Sequence, residues 1–383
     1  MNLPPTAATG STGPTGPADV SSVPSPSRVA PIRASCASSP WLELFRVSAL
    51  FSVPGDLLTG AAAAGARPGR RTLLATGSSL CLYEAGMALN DWADRDTDAV
   101  ERPGRPIPSG RIAPAAALGA AAGLTGAGLA LAAAAGRPSL VTATALAATV
   151  WAYDLHLKNT PAGPLAMAWA RALDVLQGAA SVAPVRSGRA IWTLRRALPS
   201  AALLGTHTLA VTTVSRREAQ GSSPALPLAA LGVVAAVGRV VGGARGIGGP
   251  SGSSGSGGTS ELYGASRSIG PVGTVGANGN TSVTDPVTKP LANALPDAFP
   301  ASLARPLARA AAVLYAGTAA RPFFHAALNP SPYLLQRAVG SGIRAMIPLQ
   351  AALAARAGAP GTGAALLALV PAARRLSRKV SPT

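Results

Sequence analysis

Long runs of Ala, Leu and Val recur along this chain, and they constrain the fold more than anything else in it. They fall at about residues 44–64, 72–89, 113–135, 140–153, 164–184, 198–214, 225–241, 307–327 and 334–355, with a shorter one at 361–373. Several approach the roughly 20 apolar residues a helix needs to cross a bilayer. Charged residues are 13% of the chain, about half the roughly one quarter usual in soluble domains. The fold expected is all-α: a polytopic transmembrane helical bundle of nine spans, or ten if the last run also crosses. Residues 41–241 hold the first seven spans, 242–300 a Gly/Ser-rich loop without periodicity, and 301–383 the last spans and a basic C-terminus. Residues 1–40, rich in Pro and Ser, cannot bury a core and are expected to be disordered. They do not have the layout of a cleavable signal.

The net charge is +18, nearly all of it arginine; Lys158, Lys289 and Lys379 are the only lysines. Nucleic-acid binding is the usual meaning of such a charge. Here the arginines are scattered between apolar runs and aromatics are sparse, so anionic lipid headgroups at the span ends explain the charge better. Cys36 and Cys81 give neither a metal spacing nor a disulfide framework.

In a chain this poor in acids, the stretch Asn90-Asp91-Trp92-Ala93-Asp94-Arg95-Asp96-Thr97-Asp98 stands out. Asp91, Asp94 and Asp98 are three and four apart, which on a helix puts all three carboxylates on one face, while Asp96 points elsewhere. Like charges this close cost stability unless a cation fills the gap. Oxygen-only ligands suit Mg²⁺, which takes one or two carboxylates together with substrate phosphates. A solvated acidic helix end would carry the same residues. The proline-rich loop that follows, Glu101–Arg111, repeats arginines at Arg102 and Arg105. Guanidinium groups hold phosphate oxygens in a bidentate fork, and the same arginines also satisfy the positive-inside rule. The polar break Tyr153–Thr160 brings Lys158, a candidate phosphate contact or a lone interfacial cation.

Within the spans, Asp56 and Glu84 are expected to face the bundle interior. Arg171, Asp174 and Gln177 share one helix face, where Arg171 can pair with Asp174. Such groups serve function or hold helices together; an ion-coupled transporter is one reading of them, although no inverted repeat is visible. His207, alone among Thr and Leu, reads as a hydrogen-bonded core residue.

Asn90-Asp91-x-x-Asp94-x-x-x-Asp98 matches the NDxxDxxxD motif of the UbiA superfamily of intramembrane aromatic prenyltransferases, and it sits after span two as in that family. The Tyr153–Lys158 segment resembles the family's tyrosine–lysine region after span four. The Glu101–Arg111 loop, Tyr153-Asp154, Ser215–Gly221 and the Arg337–Gln350 region look most like the EboC-like branch. The resemblance implies a UbiA-like helical bundle with a central cavity open to lipid. It also implies Mg²⁺-dependent transfer of a polyprenyl group from its diphosphate to an aromatic or lipid acceptor. On this resemblance Asp91, Asp94 and Asp98 are the catalytic and metal-holding residues, joined by Glu218 as a further ligand. Asn90, Arg102, Arg105, Lys158, Arg216 and Arg217 contact the diphosphate. The partners implied are a polyprenyl diphosphate, the bilayer and an acceptor not readable from the sequence, with no nucleic acid.

One departure from the family pattern falls after span six, where typical members carry a second aspartate-rich motif. Ser215 and Ser222 stand where aspartates are expected, and only Glu218 keeps a carboxylate. Either one Mg²⁺ with Arg216, Arg217 and Lys158 suffices for transfer, or the protein is a non-catalytic isoprenoid- or diphosphate-binding, transport-associated member of the same fold. If the breaks after spans two, four and six are cytoplasmic, the chain is a multi-pass plasma-membrane protein with its diphosphate site on the cytoplasmic side. Arg186, Arg189, Arg195 and Arg196 then fall on the opposite side, against the rule.

Overall fold

A computed structural model describes residues 39–45, 52–184, 190–219, 221–243 and 299–380, with side chains to residue 371. The expectations for residues 1–38 and for nearly all of the Gly/Ser-rich loop lie outside the described residues. Among the described residues the regular structure is entirely helical. The helices are α1 (Pro40–Leu44), α2 (Val53–Ala63), α3 (Arg70–Ala93), α4 (Arg95–Glu101), α5 (Pro114–Ala135) and α6 (Arg137–Ala152). After α6 come a π-turn (Tyr153–Leu157) and then α7 (Gly163–Ser181), α8 (Ala190–Ser215) and α9 (Ala225–Gly242). The last three are α10 (Ala304–Leu328), α11 (Pro332–Arg356) and α12 (Pro360–Val380).

The apolar runs from residue 72 onward each lie on one of these helices; of the first, expected over 44–64, the described residues give the end of α1 and the 11-residue α2. Pro at N1 or N2 opens α2, α5, α6, α7 and α11, where its fixed φ suits the first turn and its missing N–H costs nothing. Among the described residues five segments are long and apolar enough to cross a membrane: Pro114–Ala135, Arg137–Leu157, Ala190–Ser215, Ala225–Gly242 and Pro332–Arg356. The final run, read as a short one over 361–373, is a helix of 21 residues.

Burial separates these helices into layers. In α11, 83% of the apolar window is buried inside the protein, against 22% in α5 and 28% in α9. Apolar residues exposed on a membrane helix face lipid, so α11 is central and α5 and α9 are peripheral. Helix α3 packs along α5, α7 lies between α2 and α8, and α10 lies between α9 and α11. Gly60 and Gly178 let α2 and α7 touch: a Cβ on Gly60 would strike the Val175 carbonyl, and one on Gly178 the Leu57 carbonyl.

Buried polar groups tie the layers together. Asp56, fully buried on α2, accepts from Arg171 on α7 and from Gln350 Nε2 on α11 at 2.7 Å. The Arg171–Asp174 pair expected from spacing is therefore replaced by a bond to another helix. Asp174 instead accepts from Ser79 on α3. Gln177 accepts from Thr142 on α6 at 2.5 Å. The reason is low dielectric: a buried carboxylate draws the nearest guanidinium, and intrahelical spacing cannot reveal a neighbour more than a hundred residues away. His207 is a core residue as expected, bonded to Tyr315 Oη and to the Gly342 carbonyl, both at 3.0 Å.

Candidate active site

The acidic motif lies where α3 leaves the bundle. Asn90 and Asp91 are on its last turn, Asp94 is the residue between the two helices, and Asp98 is on α4. The single continuous helix expected over this stretch is thus two helices joined at Asp94. The i to i−4 bonds persist across the joint, from Asp94 N to Asn90 O at 2.9 Å and from Asp98 N to Asp94 O at 2.8 Å. The carboxylates therefore remain neighbours. Asp96 points away, exposed, toward Arg95 at 3.4 Å.

The loop after α4 folds back onto this joint because two of its residues are apolar. Ile107 and Ile112 are buried with Leu44, Ala88, Leu89, Ala117 and Ala121. That anchor carries Arg105 into the acids, where its Nη1 lies 2.5 Å from Asp98 Oδ2 and 3.3 Å from Asp91 Oδ1. The side chains of Asp91 and Asp98 are only 6% exposed, so removing their cation would leave buried charge. Farther along the loop Arg111 forks onto Glu43 at 2.8 and 3.2 Å, which holds α1 against it. That hydrogen-bonded carboxylate raises the Arg111 pKa further above its ordinary value.

A second element reaches the same acids. The π-turn bonds Lys158 N to Tyr153 O at 2.9 Å, a wider turn than an α-helix would make. Beyond it Lys158 Nζ meets Asp94 Oδ1 at 2.6 Å. Asp154 in the π-turn accepts from Asn90 Nδ2 at 3.1 Å. Asp154 was not among the residues expected at the site. Its signal in the sequence is faint: an acid four residues before the one lysine of the segment.

The turn after α8 contributes less. Arg216 donates to the Thr160 carbonyl, which ties this turn to the loop before α7 rather than to the acids. Arg217 is exposed. Glu218 is partly buried; burial raises its pKa, while the charge of Arg102 and a hydrogen bond from Ser215 work in the opposite direction. Ser222 faces away, with its backbone N–H 3.4 Å from Pro330 O and its hydroxyl on Ser223 O. Of the expected residues, Asn90, Asp91, Asp94, Asp98, Arg105 and Lys158 come together. Arg102 and Glu218 interact with each other, and Arg216 and Arg217 stand apart.

Among the described residues no three His, Cys, Asp or Glu side chains gather as a ligand group. The carboxylates are instead arranged around Arg105 and Lys158. The donor set still suits a hard divalent cation: it is all oxygen, and one cationic nitrogen already bridges Asp91 and Asp98, so that gap accepts positive charge.

A bundle of apolar helices with acids and bases gathered at one end defines a multi-pass membrane protein with a polar site at the end of its bundle. Residues 51–239 match the model of the UbiA prenyltransferase family, and over these residues the chain belongs to that family. Among similar proteins, digeranylgeranylglyceryl phosphate synthase of Methanopyrus kandleri is 36% identical over 126 residues, 32% of this chain and 45% of that protein. The protein of the same name from Methanothrix thermoacetophila is 34% identical over 146 residues, 37% of this chain and 55% of that protein. The chain thus spans about half the length of the curated relatives it matches. The solved apo structure of a UbiA homolog from Aeropyrum pernix K1 is 17% identical, covers 78% of this chain and 97% of that chain, and gives a TM-score of 0.48.

Proposed function

We propose that this protein is an integral-membrane prenyltransferase that binds a polyprenyl diphosphate with Mg²⁺ and moves the prenyl group to an acceptor. One observation carries the reading: Asp91, Asp94 and Asp98 share one end of the bundle with Arg105 and Lys158, so metal ligands and phosphate ligands lie side by side. Asp91 and Asp98, with Asp94 beside them, would hold Mg²⁺. Bound there, Mg²⁺ supplies Lewis-acid neutralisation of the diphosphate's negative charge. Arg105 and Lys158, which pair with these carboxylates, would turn to phosphate oxygens once the carboxylates bind metal. Asn90 and Asp154 orient the Asp91 turn. In the transfer the C1–O bond of the allylic diphosphate breaks, diphosphate leaves, and an acceptor oxygen or carbon bonds to C1 and gives up a proton. The cations around the leaving group stabilise charge that grows in the transition state. We place the site on the cytoplasmic side of the plasma membrane.

Both of these relatives are named as synthases of digeranylgeranylglyceryl phosphate. A glyceryl phosphate acceptor is therefore the first to test, ahead of an aromatic one. The test is release of pyrophosphate by the purified full-length protein with Mg²⁺, a labelled prenyl diphosphate and a panel of acceptors. Release should vanish in Asp91→Ala and in Asp94→Ala; release surviving both would overturn the roles given to them. The depleted turn after α8, with Glu218 its single carboxylate, favours one alternative. The protein would then bind the diphosphate without transferring the prenyl group, and Mg²⁺-dependent binding with no release on any acceptor would identify it.

A further inference from the structure

The end of the bundle opposite the aspartates carries a site of the opposite sign. There the C-termini of α2, α9 and α11 meet the N-termini of α8 and α10 around a cavity of about 340 Å³. That volume lies at the lower end of the ~300–1,000 Å³ usual for small-ligand clefts. Four arginines line it, Arg196, Arg305, Arg309 and Arg356, and none of the described lining residues is acidic. Arg356 is engaged: its Nη1 donates to the carbonyls of Val240 and of Val241, the latter at 3.1 Å, and so caps the last turn of α9. By covering those carbonyls it removes the negative end of the α9 dipole from the cavity. Arg196, Arg305 and Arg309 make no hydrogen bond or ion pair with another described residue. Guanidinium groups converging on a concave space without a carboxylate repel one another unless an anion joins them.

The floor of the cavity is apolar, formed in part by Leu203 and Leu353. A second cavity adjoins it and shares Arg196. On its wall is Trp192, 63% exposed, with the Arg195 guanidinium 5.4 Å above the ring. Exposed Trp beside arginine is the pattern of a membrane interface. A ligand matching this site is anionic at one end and apolar at the other.

We propose that the cavity bounded by Arg196, Arg305 and Arg309 binds a phosphate ester at the bundle end remote from the aspartates, with an anionic phospholipid headgroup as its bilayer source. Guanidinium forks take the phosphate oxygens, and the apolar floor takes the adjoining glycerol and acyl carbons. The site is separate from the proposed prenyl diphosphate site and shares no residue with it.

The test uses full-length protein in uncharged detergent, titrated with phosphatidylglycerol, phosphatidylcholine or inorganic phosphate and followed by thermal unfolding. Two variants are compared: Arg196→Gln/Arg305→Gln/Arg309→Gln, and a charge-matched control, Arg67→Gln/Arg70→Gln/Arg137→Gln, at the same end but outside the cavity. Phosphatidylglycerol should raise the unfolding midpoint of the wild type and of the control, and phosphatidylcholine should not. The triple variant should bind phosphatidylglycerol more than about 100-fold less tightly, since each charge-assisted hydrogen bond is worth roughly tenfold or more. Mg²⁺-dependent binding of a prenyl diphosphate should persist in the triple variant, which shows that it is folded. A phosphate response equal to that of phosphatidylglycerol, and lost in the same variant, supports the anion site with free phosphate as its ligand. Equal shifts with phosphatidylglycerol and phosphatidylcholine, or equal losses in the triple variant and the control, would overturn the proposal by reducing the effect to diffuse surface charge.

Discussion

The turn after α3 and the turn after α8 lie at the same end of the bundle, and they are built differently. After α3, Asp91 and Asp98 are buried, cross-linked by Arg105, and held by a loop whose Ile107 and Ile112 are packed into the core. After α8, Ser215 and Ser222 bond locally, Arg217 is exposed, and Glu218 alone brings a carboxylate. A carboxylate cluster costs energy and persists only when cations and packing compensate for it. The first turn has both forms of compensation, and the second carries little charge to compensate. Metal-diphosphate binding is therefore expected to depend steeply on the first turn and weakly on the second.

Substitutions can break that asymmetry. Asp98→Asn removes a buried ligand and leaves Arg105 partly unpaired. Its effect on Mg²⁺-dependent prenyl diphosphate affinity, measured by calorimetry, should exceed the ~100-fold ceiling for groups that only orient ligands. Asn90→Ala tests such an orienting group, because Asn90 holds Asp154 beside the acids; its loss should fall within about 10–100-fold. Glu218→Gln should cost less than about fivefold, matching the ~1 kcal/mol upper range of an exposed ion pair. If Glu218→Gln cost as much as Asp98→Asn, the two turns would be equal partners and the asymmetry would fail.

Much of the site was legible in the sequence because its logic is local. The i, i+3 and i+7 spacing of Asp91, Asp94 and Asp98 survives the break between α3 and α4, since the backbone bonds run through it. Lys158 was legible as the one lysine in a polar break. Asp154 was not, because its role depends on α3 and α6 lying side by side. Arg216 was placed at the phosphate by the family resemblance, yet it bonds to the Thr160 carbonyl in the loop before α7, a contact that no local pattern encodes.

The sequence by itself determined the helices, their apolar faces and the carboxylate stretch after α3. These follow from hydrophobic run length and from the 3.6-residue turn, which act within a few residues. Only the tertiary structure decided which charge meets which. Arg171 chose Asp56, 115 residues away, over Asp174 three residues along its own helix. Arg105 came to bridge two aspartates because two isoleucines buried its loop, and four arginines from three helices converged at the far end of the bundle. Such partnerships are set by how helices pack, and in a low-dielectric interior the nearest opposite charge prevails whatever its distance along the chain.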